Sequence, residues 1–124
     1  MGRPGRPPRR PVVALASAAL VVQLLGVYLP GSALADESQL PGLDKVVHVL
    51  IFGVPAYLFG RLVRRPWWVG LAFVAHAALS EWLQTFVPYR DPDVFDFLAD
   101  AAGVAVAMAA LYWRSSPARS QRRR

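Results

Sequence analysis

Apolar residues in this chain come in four long blocks, not in the narrow stripe that a surface helix of a soluble protein shows. The first block is Val12 to Leu29, with Gln23 its only strongly polar member. The second is Val46 to Gly60 and contains His48. The third, Trp67 to Val87, contains His76, Glu81 and Gln84, and the fourth, Val94 to Trp113, contains Asp96 and Asp100. A helix rises about 1.5 Å per residue, so about 20 residues cross a bilayer core. Blocks one, three and four are long enough as they stand. Leu43 before the second block and Leu62-Val63 after it extend that one, and Arg61 can snorkel to the headgroups. Backbone groups in hydrocarbon must be bonded within their own segment, so each block predicts a helix. The expected fold is all-α: an integral membrane bundle of four transmembrane helices, spanning about 12–29, 44–63, 67–87 and 94–113.

The prolines punctuate this pattern. Four lie in the first eleven residues, Pro30 and Pro41 bracket a loop, Pro66, Pro88 and Pro92 mark further boundaries, and Pro117 sits in the tail. Proline lacks an amide donor and obstructs the helix before it, so it collects at helix ends. Pro55 alone falls inside a block, where it is expected to kink the second span.

A length of 124 residues allows one domain. It divides into a basic head (1–11), the membrane domain (12–113) and a basic tail (114–124). The net charge of +6 first suggests nucleic acid. The basic residues, however, sit in short tails and one short loop beside apolar runs. Membrane lipids with anionic headgroups suit them better, and no nucleic-acid partner is expected. The chain has no cysteine, which removes disulfides, thiol chemistry and cysteine metal sites. No metal-binding or cofactor motif is present, so no cofactor is expected.

Charge placement orients the bundle. Arg3, Arg6, Arg9 and Arg10 precede the first span, Arg61, Arg64 and Arg65 separate the second from the third, and Arg114, Arg119, Arg122, Arg123 and Arg124 follow the fourth. These are twelve of the fourteen basic residues, all on one side of a four-span chain. Positive loops stay in the cytoplasm, so both termini are expected there. The eight acids, Asp36, Glu37, Asp44, Glu81, Asp91, Asp93, Asp96 and Asp100, fall on or near the other side, with Lys45 and Arg90. Trp67, Trp68, Tyr112 and Trp113 mark the inner interface, and Tyr28, Trp82 and Tyr89 the outer one. A rival remains at the start of the chain. Ala33-Leu34-Ala35 resembles a signal-peptidase site behind a basic head and an apolar run, although an eighteen-residue core is long for a signal peptide. Retention of the first span is the expectation.

The acids and their neighbours form a constellation. Asp44, Lys45 and His48 open the second span and share a helix face. Glu81 and Gln84 are spaced i, i+3 near the outer end of the third. Arg90 and Asp93 lie in the following loop, and Asp96, Asp100 and Gly103 make one stripe of the fourth helix. Ala99, Gly103 and Ala107 put small residues near that stripe, so it should face the bundle. A charged side chain at a helix centre costs about 2.5–3.5 kcal/mol on insertion scales, so such residues need partners or water. Two readings follow. The residues can pair with one another and merely fix helix register. Alternatively they line an outward-facing pocket for a polar or anionic headgroup, the expected ligand-binding set being Asp44, Lys45, His48, Glu81, Gln84, Arg90, Asp93, Asp96 and Asp100. His76 is deeper and on another face, and is read as bonded to a neighbouring helix.

Asp44-Lys45-x-x-His48 opening a span, then Glu81-x-x-Gln84, Arg90, Asp93, Asp96, position 100 and Gly103, resembles the VanZ-like family over about residues 40 to 113. These are small bacterial membrane proteins named for an accessory factor in teicoplanin resistance. The resemblance implies a bacterial plasma-membrane protein and supplies no reaction. The family usually carries asparagine where this chain has Asp100. An ionised aspartate only accepts hydrogen bonds, so Asp100 is expected to be protonated or paired with a cation.

Three functions compete. One is a non-enzymatic envelope factor whose pocket binds a lipid or envelope-precursor headgroup, with Lys45 and Arg90 meeting phosphate or carboxylate. Another is a membrane-embedded hydrolase or transferase, with His48 as general base, Asp44 orienting it, and Glu81 or Asp96 as acid or metal ligand. No serine elbow, HExxH or phosphate loop supports it. The third is a structural subunit of an envelope complex. Four helices are too few for an obvious transport path, though a homo-oligomer could form one.

Overall fold

A computed structural model describes residues 9–29 and 42–116. Among these residues it contains four helices and no strand: α1 (Arg9–Tyr28), α2 (Leu43–Gly60), α3 (Pro66–Gln84) and α4 (Val94–Ser115). The signal-peptidase-like segment and the loop bracketed by Pro30 and Pro41 lie outside the described residues, as do most of the head and tail.

Helix bounds differ from the apolar blocks at their ends. α1 takes in Arg9 and Arg10, because Pro11 in a first turn forfeits no helical hydrogen bond. α2 stops at Gly60, so Leu62 and Val63 belong to the turn that Pro66 ends by starting α3. α3 ends at Gln84. Beyond it the amides of Thr85, Phe86 and Val87 each bond the carbonyl three residues back, a tighter winding ahead of Pro88. Pro55 is buried within α2, whose helical assignment runs through it.

The helices run alternately up and down. The Arg9 guanidinium donates to the Leu62 carbonyl, tying the start of α1 to the α2–α3 turn. Arg90 donates to the Gly26 carbonyl, tying the α3–α4 loop to the end of α1. α2 is central: it packs most extensively on α4, and also on α1 and α3. The close α2–α4 crossing depends on Gly53 and Gly103. A Cβ at Gly53 would meet the Gly103 carbonyl oxygen at 2.9 Å, and one at Gly103 would strike the Val49 backbone. Only residues without side chains let two helix backbones approach so closely.

Around that crossing the core is made largely of small and medium side chains: Val27, Phe52, Ala56, Ala77, Val104 and Ala107. The large apolar residues point the other way. Leu15, Val22, Leu50, Leu71, Leu79 and Val106 are exposed, while Gln23, Ser80, Gln84 and Asp100 are buried. In water this arrangement would waste most of the hydrophobic surface. In lipid it is expected, because tails are as apolar as leucine and no force drives leucine inward. By length and composition α1, α2 and α4 can each cross a membrane. α3 is not among them, since His76, Glu81 and Gln84 interrupt its apolar run.

Candidate functional site

The start of α2 and the start of α4 lie side by side, and their polar residues meet there. Asp93 caps α4, its carboxylate accepting from the Phe95 amide at 2.8 Å. Its other oxygen accepts from Lys45 Nζ at 2.9 Å. Lys45 also bridges Asp44 at 2.8 Å and donates to Asp96. One ammonium thus serves three carboxylates on two helices. Lys45 and the Phe95 amide hold the Asp93 carboxyl below the usual carboxylate range.

One turn deeper, His48 continues the network. Its Nδ1 lies 2.7 Å from Asp100 Oδ1, and its Nε2 lies 3.6 Å from Asp96 Oδ2. Whichever of the two carries the hydrogen, His48 Nδ1 and Asp100 Oδ1 share one hydrogen bond. Side-chain exposure falls steadily along this path, from 56% at Asp44 through 40% at Asp93, 34% at Lys45, 16% at Asp96 and 11% at His48 to 1% at Asp100. The cluster therefore opens to the surroundings at its Asp44 end and is sealed at its Asp100 end.

Glu81 reaches this group from α3, where its Oε2 accepts from the Asp93 amide at 3.0 Å. Seven of the nine expected site residues are thus gathered: Asp44, Lys45, His48, Glu81, Asp93, Asp96 and Asp100. The other two turn elsewhere. Gln84 Nε2 donates to the Val27 carbonyl at 3.4 Å, and Arg90 takes the Gly26 carbonyl. Both satisfy carbonyls at the C-terminal end of α1, which have no partner inside that helix. Lys45, engaged by three carboxylates, and Arg90, engaged by a backbone carbonyl, differ from the pair of free cations that the sequence suggests for phosphate.

His76 stands apart, as expected. Its Nε2 is 3.0 Å from the Tyr28 hydroxyl, and its ring packs on Phe52 with centroids 5.6 Å apart. Tyr28 reads from the sequence as an interface marker, and its bond to His76 is legible only in three dimensions. Gln23 was singled out only as the polar member of its block. It is fully buried, and neither its amide nitrogen nor its oxygen has a partner among the described residues. Among the described residues, no three His, Asp or Glu side chains are gathered so as to hold a metal ion.

The family model of VanZ/LLP1 matches residues 10–115, which takes in the four helices except Arg9 and includes every residue of the cluster. The chain belongs to the VanZ/LLP1 family. No curated protein and no solved structure matches it. Asp100 is paired with His48, the cation-capable residue nearest to it, within the α2–α4 seam.

Proposed function

We propose that this VanZ-like membrane protein binds the polar headgroup of a lipid or envelope precursor at the open end of the Asp44–Lys45–Asp93 network. The observation that carries the reading is the graded path from exposed Asp44 to buried Asp100. Exposed ion pairs contribute little to stability, so helix register alone gives the open end of the network little to do. Here three charged groups stay accessible where the bundle meets the headgroup layer.

The same reading places the chain in the bacterial plasma membrane. All four helices span, α3 included, with its polar positions turned into the bundle. Both termini lie in the cytoplasm, by the arginine placement. The charged cluster then faces the envelope, where an accessory role of the glycopeptide-resistance type would act. The His48–Asp100 pair favours a second reading, a hydrolase or transferase with His48 as base. His48 Nε2, the nitrogen left for a substrate, already faces Asp96, so binding is preferred.

The test is the lipid retained by purified protein. Wild type and an Asp93→Asn/Asp96→Asn variant would be extracted in mild detergent and weighed by native mass spectrometry. We expect wild type to keep a lipid or precursor near one per chain, and the variant to keep at least about tenfold less, a loss of about 1.4 kcal/mol in binding. Equal retention by two folded proteins would overturn the reading. A retained protein in place of a lipid would replace it with the structural-subunit role.

A further inference from the structure

At the arginine end of the bundle a cavity of about 660 Å³ lies over the turn between α2 and α3. Val63, Arg64, Arg65, Trp68 and Val69 line it. Arg64 and Arg65 supply two guanidiniums, whose planar forks match the paired oxygens of a phosphate. Among the described residues neither forms an ion pair, because the described acids gather at the other end. Val63 and Val69 supply apolar wall. Trp68 supplies an indole, the ring that settles where headgroups meet hydrocarbon. Trp67 stacks on it with centroids 4.0 Å apart.

The turn that carries these residues is held by two other helices. Arg9 of α1 donates to the Leu62 carbonyl. Gly60 lies so close to α4 that a Cβ there would strike the Leu111 side chain. Diffuse attraction between basic residues and an anionic leaflet needs no cavity. Here two cations border one, beside an apolar wall and an interfacial aromatic.

We propose that this cavity binds the phosphodiester of an anionic phospholipid in the leaflet at the arginine end. Arg64 and Arg65 would donate to the phosphate oxygens, and the lipid's glycerol backbone would lie against Val63, Val69 and Trp68. A lipid suits the cavity better than a soluble phosphate, because three of its five lining residues are apolar or aromatic. The site lies at the opposite end of the molecule from the Asp44–Lys45–Asp93 network and does not depend on the reading given for that network.

Purified, delipidated protein in mild detergent would be titrated with phosphatidylglycerol, which is anionic, and with phosphatidylcholine of the same acyl chains, which is zwitterionic. Native mass spectrometry would score the binding. Val63, Arg64, Arg65 and Trp68 are exposed, so the lipid exchanges and is read by titration, not by what survives purification. Wild type is expected to bind phosphatidylglycerol about tenfold more tightly. Arg64→Gln/Arg65→Gln should erase that preference. Arg10→Gln/Arg114→Gln, which removes the same charge from exposed positions at the same end, should keep it. Equal losses in these two variants would overturn the site in favour of diffuse attraction, and equal binding of both lipids by wild type would overturn it outright. Arg64→Lys/Arg65→Lys keeps the positive loop and loses the forks; it should weaken phosphatidylglycerol about threefold, and stands in if the glutamine variant does not insert. No loss in it would overturn the guanidinium assignment. An excess of glycerophosphoglycerol, the headgroup without chains, should leave the lipid bound, and displacement would give the cavity to a soluble phosphate instead. Asp93→Asn/Asp96→Asn should not alter the preference; its disappearance there would place the binding at the acidic end and end the proposal.

Discussion

Asp100 sits where the family usually has asparagine, at the sealed end of the cluster, with its Oδ1 on His48 Nδ1. That bond needs a hydrogen-bonding group and not a charge, and an asparagine amide can either donate or accept. Asp100→Asn keeps an oxygen for the histidine and should change stability by no more than about 1 kcal/mol. Asp100→Leu leaves a buried ring nitrogen unmet and should cost about 1–3 kcal/mol. Thermal unfolding of both variants in one detergent checks the difference, and equal losses would mean that the pair contributes through charge. The spacing of Asp44, Lys45 and His48 already put these three on one face, and that much was readable from the sequence. Which acid each would meet was not, because partners come from helices 48 or more residues away. Arg90 makes the same point in reverse. Its position beside the acids suggested the pocket, and the fold gives it to the Gly26 carbonyl 64 residues earlier.

The α2–α4 pair is the element on which the site is built. Lys45 and His48 reach Asp93, Asp96 and Asp100 because the two backbones touch deeper in, at Val49, Gly53 and Gly103. Gly103→Val would force them apart. Overpacking costs about 1–3 kcal/mol in ordinary cores, and a clash with backbone lies at or above the top of that range. The change should lower the unfolding temperature and loosen the Lys45 network together. Ala105→Val, on an exposed position of the same helix, should be close to neutral. If both variants behave alike in thermal unfolding, the close crossing is not what sets the seam. The small residues at 99, 103 and 107 pointed to such a contact, but their partner on α2 could not be read, since Gly53 lies in a run of bulky residues with no stripe of its own.

As a whole the molecule is bipolar. Among the described residues Arg9, Arg10, Arg61, Arg64, Arg65 and Arg114 lie at the end where α2 meets α3 and α4 finishes, and the acids lie at the other. The helix packing makes this a property of the folded chain, and the positive-inside rule turns it into an orientation. Single cysteines test the orientation cleanly, because the chain has none of its own. Intact cells would be treated with a membrane-impermeant thiol reagent after Tyr89→Cys, Val63→Cys or Ser115→Cys, all at exposed positions. Labelling is expected at 89 and not at 63 or 115. The opposite pattern would put the charged cluster in the cytoplasm and end an envelope-facing role.

The apolar blocks and the arginines between them determined by themselves that this chain is a bundle of membrane helices with its acids gathered toward one end. Those are properties of local composition, and a bilayer reads them segment by segment. Only the tertiary structure decided how the charges divide: Lys45 shared among three acids, His48 given to Asp100, Arg90 and Gln84 spent on α1, and Glu81 given to the Asp93 amide. Pairing depends on which helices touch and at what height, and that is set by contacts such as Gly53 against Gly103, between residues far apart in the chain.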